Sequence, residues 1–313
     1  MRQYKVIDVH SHPVLSIGKG APLARQPKWS VDRALALMDE SGIACSILSV
    51  PHAAQDADEH TAADIARRVN ETIAEIVCKY PTRFGGLATL PSRYPESTLR
   101  ELEYGLDTLK MDGVATSSNI HDVYLGDRAF DPWFAELDRR GATLFIHPWT
   151  LSSASTMSLG LKFAVLEFMF DTTRALVNLE LTGAKARFAR IKMIAAHAGG
   201  TLPFLVPRLE SLELYTGHSD HLRMSPEEIR ASLASFFFDL TASTSNVQLT
   251  GVLDLVPTSQ MLIGVDIPFM PERAIGAAIQ EVEQYRAFSS ADLELITHRN
   301  AERLFPALAT RLA

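Results

Sequence analysis

The sequence predicts an α/β protein folded as one (β/α)8, or TIM, barrel domain over residues 1–313. Three observations lead there. Eight short apolar runs recur along the chain, each followed by a helical segment. Strands alternating with helices imply a parallel sheet, and eight such units imply a closed barrel. No Gly-x-Gly-x-x-Gly follows the first run, where an open nucleotide-binding sheet would carry it. Finally, histidines and an aspartate gather at the carboxyl ends of the runs, the face on which barrels of this class build their sites.

Residues 5–12, Lys-Val-Ile-Asp-Val-His-Ser-His, form the first strand, because Val6, Ile7 and Val9 are β-branched and apolar. Residues 13–29 hold Gly18, Gly20, Pro22 and Pro27 and read as a loop, a candidate lid. Ser30 caps a helix through Glu40, with Leu35, Leu37 and Met38 on its apolar face and Gly42 as its stop. Strands follow at 43–50, 84–90, 113–117, 143–147, 191–197, 236–240 and 261–266. Helices are expected near 62–79, 99–109, 131–140 and 161–183, from Pro203, and at 271–284 and 291–305. No internal repeat stands out.

Composition narrows the function classes. With 47% hydrophobic and 21% charged residues, the chain has ample core for a globular protein. A net charge of −7 and the absence of a basic stripe argue against nucleic acid. No signal peptide is expected, and no apolar run is long enough to span a bilayer, so the expected setting is cytoplasmic, without a membrane partner. Cys45 and Cys78 are too few for a disulfide framework and are expected to be buried thiols.

Five ligand-type residues fall at the ends of four strands. His10 and His12 close the first strand, two apart and so expected on one face. His147 ends the fifth, His197 the sixth and Asp266 the eighth. Each alone has an ordinary reading: a hydrogen-bonded structural histidine, or an aspartate capping the next helix. Their convergence favours a metal site, since neutral imidazole is the commonest protein ligand of zinc and similar ions. His52 follows the second strand and faces the same rim. Trp149 is either an apolar wall of the pocket or a packed loop aromatic. His60, His121 and His298 are expected to be solvated, and His218 and His221 to lie on the surface.

The segments Asp8-Val9-His10-Ser11-His12, His147-Pro148-Trp149, Ala196-His197-Ala198-Gly199-Gly200 and Gly264-Val265-Asp266-Ile267-Pro268-Phe269 resemble the amidohydrolase superfamily. Over essentially the whole chain the pattern is similar to its aminocarboxymuconate-semialdehyde decarboxylase-like branch. Residues 172–183 and 197–208 look most like the 6-methylsalicylate decarboxylase type. The resemblance implies a distorted barrel in which His10, His12, His147 and Asp266 hold one divalent metal, zinc or in some members manganese. His197 would stand beside it as acid or base. Arg208 matches an arginine that binds a carboxylate across a subunit interface, which implies a homodimer or larger homo-oligomer; otherwise it is a surface helix arginine. Val265 departs from the usual Ser or Thr, and no role is carried over to Arg33. Two-metal members carry a carboxylated lysine at the end of strand four, whereas residues 113–118 here contain none and Lys192 lies at the start of strand six. One metal is therefore expected.

Such a site supports two reactions. Polarising a substrate oxygen suits nonoxidative decarboxylation of a salicylate-like or related unsaturated carboxylic acid; activating a water suits hydrolysis of a lactone, ester or amide. The resemblance favours the first, with Asp266 and His197 moving the proton. A noncatalytic metal-binding barrel is a third reading; a structural site has no need of a fifth polar residue on the rim.

Overall fold

The computed structural model describes residues 4–15, 28–55, 57–157, 159–211 and 224–313. Ten strands are found among them: β1 (Ile7–Ser11), β2 (Cys45–Leu48), β3 (Phe84–Thr89), β4 (Gly113–Ser117), β5 (Asn119–Ile120), β6 (Val123–Tyr124), β7 (Thr143–His147), β8 (Lys192–Ala195), β9 (Phe237–Asp239) and β10 (Met261–Leu262). Eight form one parallel sheet in the order β1-β2-β3-β4-β7-β8-β9-β10, which is the expected succession of barrel strands. β5 and β6 make a separate antiparallel hairpin inserted after β4.

The sheet closes on itself. Val9 N donates to Ile263 O (2.9 Å), Asp266 N to His10 O (2.7 Å) and His12 N to Ile267 O (2.7 Å). The buried Asp8 carboxylate reinforces this seam, its Oδ1 accepting from both His10 N (2.9 Å) and Val265 N (3.0 Å). Bonding residue by residue to β1, rather than along a regular ladder, is why β10 is shorter than the expected run 261–266.

Side-chain alternation divides the core in two. Ile7, Val9, Ile47, Leu87, Phe145 and Ile194 fill the barrel with Leu304, Phe305 and Leu308, which come from the helical end of the chain. Leu144, Ile146, Met193 and Ala195, their sequence neighbours, pack outward with the helices. Cys45 belongs to the inner set, and burial pushes its thiol up to about 12. Cys78 corrects the expectation: it is exposed on the helix Glu59–Lys79, on the side away from the apolar stripe.

The helix Val31–Ser41 starts at Ser30 and stops at left-handed Gly42, as expected. The helix expected at 99–109 begins earlier, at Pro95, because proline suits a first helical turn whose N–H has no partner anyway. The helix expected near 161–183 spans Glu167–Leu181, and 291–305 is a succession of α, π and α turns. Helices Pro226–Leu233, Asn246–Leu255 and Pro306–Leu312 are additional. Among the described residues no helix is long and apolar enough to cross a membrane. The candidate lid lies mostly outside the described residues, as do His218 and His221.

Candidate metal and active site

His10, His12, His147, His197 and Asp266 meet at one mouth of the barrel, although alternation alone does not put them there. Ile7 and Val9 point inward, so strict period two would turn His10 away. The β1–β2 register shifts between Asp8 and Ser11, and this irregularity re-aims the strand end. The His10 ring lies over Phe145 in the barrel (centroids 4.9 Å apart), and its Nε2 is 3.0 Å from Nε2 of His12. The ring of His147 stands 5.1 Å from that of His10 and 4.9 Å from that of His12. Asp266 brings Oδ1 to 3.5 Å from His12 Nε2 and 3.9 Å from His10 Nε2.

Among the described residues, two overlapping groups have metal-ligand spacing: His10, His12 and Asp266, and His10, His147 and His197. Distance therefore does not separate His197 from the expected ligands, but the hydrogen bonding of the four rings differs. Nδ1 of His10 is bonded to Asp239 Oδ2 (3.1 Å), Nδ1 of His12 to Ser49 O (2.9 Å) and Nδ1 of His147 to Pro148 O (2.9 Å). Each pairing places the proton on Nδ1 and leaves an Nε2 lone pair facing the pocket, the usual support of a metal-bound histidine. His197 differs, because its Nδ1 is buried with no hydrogen-bond partner.

The backbone at these positions is constrained. His197, Ala198 and Asp266 have φ of 54°, 55° and 54°, in the left-handed region that non-glycine residues seldom adopt. Gly264, two residues before Asp266, leaves no room for a side chain unless its neighbours shift. A Cβ there would lie 2.9 Å from Asp239 Oδ1, 2.9 Å from His10 Cβ, and against Thr241 Oγ1.

The electrostatics are those of a site short of positive charge. Burial, followed by mutual repulsion, drives His12 and His147 well below the usual imidazole range. Burial holds His197 near 3, and pushes Asp266 up to about 7. His10 is the exception: burial opposes its charge, but Asp239, Asp266 and Asp8 together raise it. Burial works against the Asp239 charge too, yet His10 holds that carboxyl near 2. Asp266 Oδ1 is buried without a hydrogen-bond partner, and two imidazole nitrogens face each other at 3.0 Å. A cation between them would satisfy both features, so the donor set fits a divalent ion.

Asp239 is absent from the expected set. The signal was present: an acid at the carboxyl end of an apolar strand, on the same rim as the histidines. Among the described residues, His52, Trp149, Phe168 and Phe269 bring aromatic rings beside the cluster. His52 stacks on Trp149 (4.4 Å, 23°) and stands 5.3 Å from His147, which places both rings beside the histidine cluster. Phe168 approaches His147 at 5.8 Å and Phe269 approaches His12 at 5.9 Å. Arg208 is exposed in the last turn of the helix Leu202–Glu210. His60 and His121 are exposed; His298, expected to be solvated, is half-buried in the closing helices.

The family described as amidohydrolase matches residues 7–307. The chain belongs to this family. The amidohydrolase chain is 30% identical over 323 residues to decarboxylase macB of Penicillium terrestre, covering 96% of this chain and 94% of the relative. It is 31% identical over 292 residues to the 6-methylsalicylic acid decarboxylase of Penicillium expansum, covering 89% and 90%. Among solved structures, a dihydroxybenzoic acid decarboxylase from Polaromonas with bound manganese and 2-nitroresorcinol superposes with a TM-score of 0.84. It shares 23% identity, over 97% of each chain, a likeness that establishes the fold.

Proposed function

We propose that this amidohydrolase is a metal-dependent carboxy-lyase that decarboxylates an aromatic, salicylate-like acid without oxidation. The observation that carries the reading is the arrangement of three histidines, each with its Nδ1 hydrogen-bonded to an oxygen, converging with the half-buried Asp266 carboxylate beside aromatic rings. The curated relatives named above are called decarboxylases, which favours this reaction over hydrolysis of a lactone, ester or amide.

In this reading His10, His12, His147 and Asp266 would hold one divalent ion, and His197 would stay outside the set. The absence of a hydrogen bond at its Nδ1 supports that division. When bound, such an ion would supply Lewis-acid polarisation of the substrate carboxylate and its neighbouring phenol oxygen. Zinc is the expected ion, and manganese, bound in the Polaromonas relative, is the alternative. The collar of His52, Trp149, Phe168 and Phe269 suits a planar ring and keeps water from it. Asp266 would pass to the ring carbon a proton that it takes up from solvent, with His197 assisting through the phenol or a water. Carbon dioxide leaves and aromaticity returns.

We also infer a homodimer or larger assembly in which Arg208 meets a substrate carboxylate of a neighbouring copy. Arg208 is exposed, and Phe204, 83% exposed, lies four residues before it on the same helix face. The cytoplasm is the proposed compartment, in keeping with two cysteines that are both free thiols.

The test is a panel of ortho-hydroxybenzoates, lactones and amides supplied to metal-loaded protein, with products separated by chromatography. Release of carbon dioxide and the matching phenol is expected. Turnover of lactones or amides, with no carbon dioxide from any acid, would replace the lyase by a hydrolase.

A further inference from the structure

A cleft of about 370 Å³ adjoins the aromatic rings beside the histidine cluster. Trp149 belongs to both: it lines the cleft, and its ring stacks on His52, which faces His147. Leu151 and Phe163 add apolar wall, and Gln55, Asn119 and His121 add amide and imidazole groups.

The walls are braced from behind. Asn119 Nδ2 donates to Trp149 O (2.6 Å), and Trp149 N donates to Ser118 Oγ (2.8 Å). Asp171, buried on the helix Glu167–Leu181, accepts from the Ser118 hydroxyl and from Tyr124 OH (2.9 Å). Gln55 Nε2 donates to Asn119 O (2.9 Å), and the His121 ring bonds to Gln55 O (2.6 Å). A surface dent of mobile side chains has no such bracing; a pre-formed binding pocket does.

We propose that this cleft binds an extended, uncharged substituent of the aromatic acid whose carboxylate sits at the histidine cluster. The inference rests on the decarboxylase reading for that carboxylate. Size comes first: an apolar cavity of roughly 150 Å³ accepts benzene, so this cleft holds more than a methyl group. Charge comes next. At the rim, Asp122 accepts both the N–H (2.7 Å) and the hydroxyl of Ser152, and these bonds hold its carboxyl below the usual range. A second anion on the substrate would meet that carboxylate. Apolar wall plus amide groups therefore suits an alkyl chain ending in a hydroxyl or carbonyl.

The test compares salicylate with salicylates carrying a pentyl, a hydroxypentyl or a carboxypentyl chain. Calorimetric binding of the corresponding phenols is measured alongside. In the native enzyme the pentyl and hydroxypentyl chains should lower KM at least about tenfold, a small part of what burying five methylenes can supply. The carboxypentyl chain should give no gain. Leu151→Trp, which fills the cleft, should abolish the gain and leave KM for salicylate unchanged. Binding of pentylphenol should be lost in the same variant. KM and phenol affinity indifferent to the chain in native protein would overturn the proposal, as would a carboxypentyl chain binding best. Chain-dependent phenol binding with no carbon dioxide from any acid would support the cleft and remove the decarboxylase reading.

Discussion

Three of the four clustered histidines are alike and the fourth is not, although all four end apolar strands. His10, His12 and His147 each have a partner for Nδ1, and His197 has none. Replacing His197 by Asn should therefore leave metal content unchanged and lower kcat by roughly a hundred- to ten-thousand-fold, the usual range for a general acid or base. Metal loss in that variant would make His197 a ligand. Asp239→Asn should act in the opposite way. It removes the charge that fixes the His10 tautomer and should weaken metal affinity about 10–100-fold; unchanged affinity in a chelator competition would contradict that role. Strand-end histidines and Asp266 were legible in the sequence because their type and position both pointed to chemistry. Asp239 does not stand out in the sequence, because a lone carboxylate after phenylalanines also reads as an ordinary strand end. Its partner, His10, lies 229 residues away.

At the scale of elements, the eight barrel strands could be read from apolar runs, since a strand covered on both faces needs no alternation. What could not be read is where the pattern breaks. The β1 irregularity that turns His10 into the barrel leaves no mark in the run of residues 5–12. The β5–β6 hairpin is two residues per strand, too short for periodicity to register. Gly264 is a similar case: its role comes from Asp239, Thr241 and His10, which approach from other strands. Gly264→Ala should cost about 1–3 kcal/mol through overpacking and also reduce metal retention, because the displaced groups are His10 and its partner. Thermal unfolding with and without added metal measures both effects. A variant with native stability and metal content would show that the seam has room.

For the whole molecule, the barrel gathers side chains from β1, β7 and the segments after β8 and β10 onto one rim, while the helices enclose the sheet. Assembly is the level at which a single chain says least, because a two-fold interface uses surface that sequence patterning does not distinguish from solvent-facing polar residues. Light scattering at micromolar concentration should give at least twice the 34.5 kDa chain mass, and a monomer would return Arg208 to the surface. The most direct test of the metal-dependent lyase is a titration. Protein stripped with chelator is given increasing manganese or zinc, and carbon dioxide release from a turned-over ortho-hydroxybenzoate is recorded. Activity should start near zero, rise linearly and break at one equivalent per chain. A break at two equivalents, or full activity in the stripped protein, would contradict the single-metal decarboxylase.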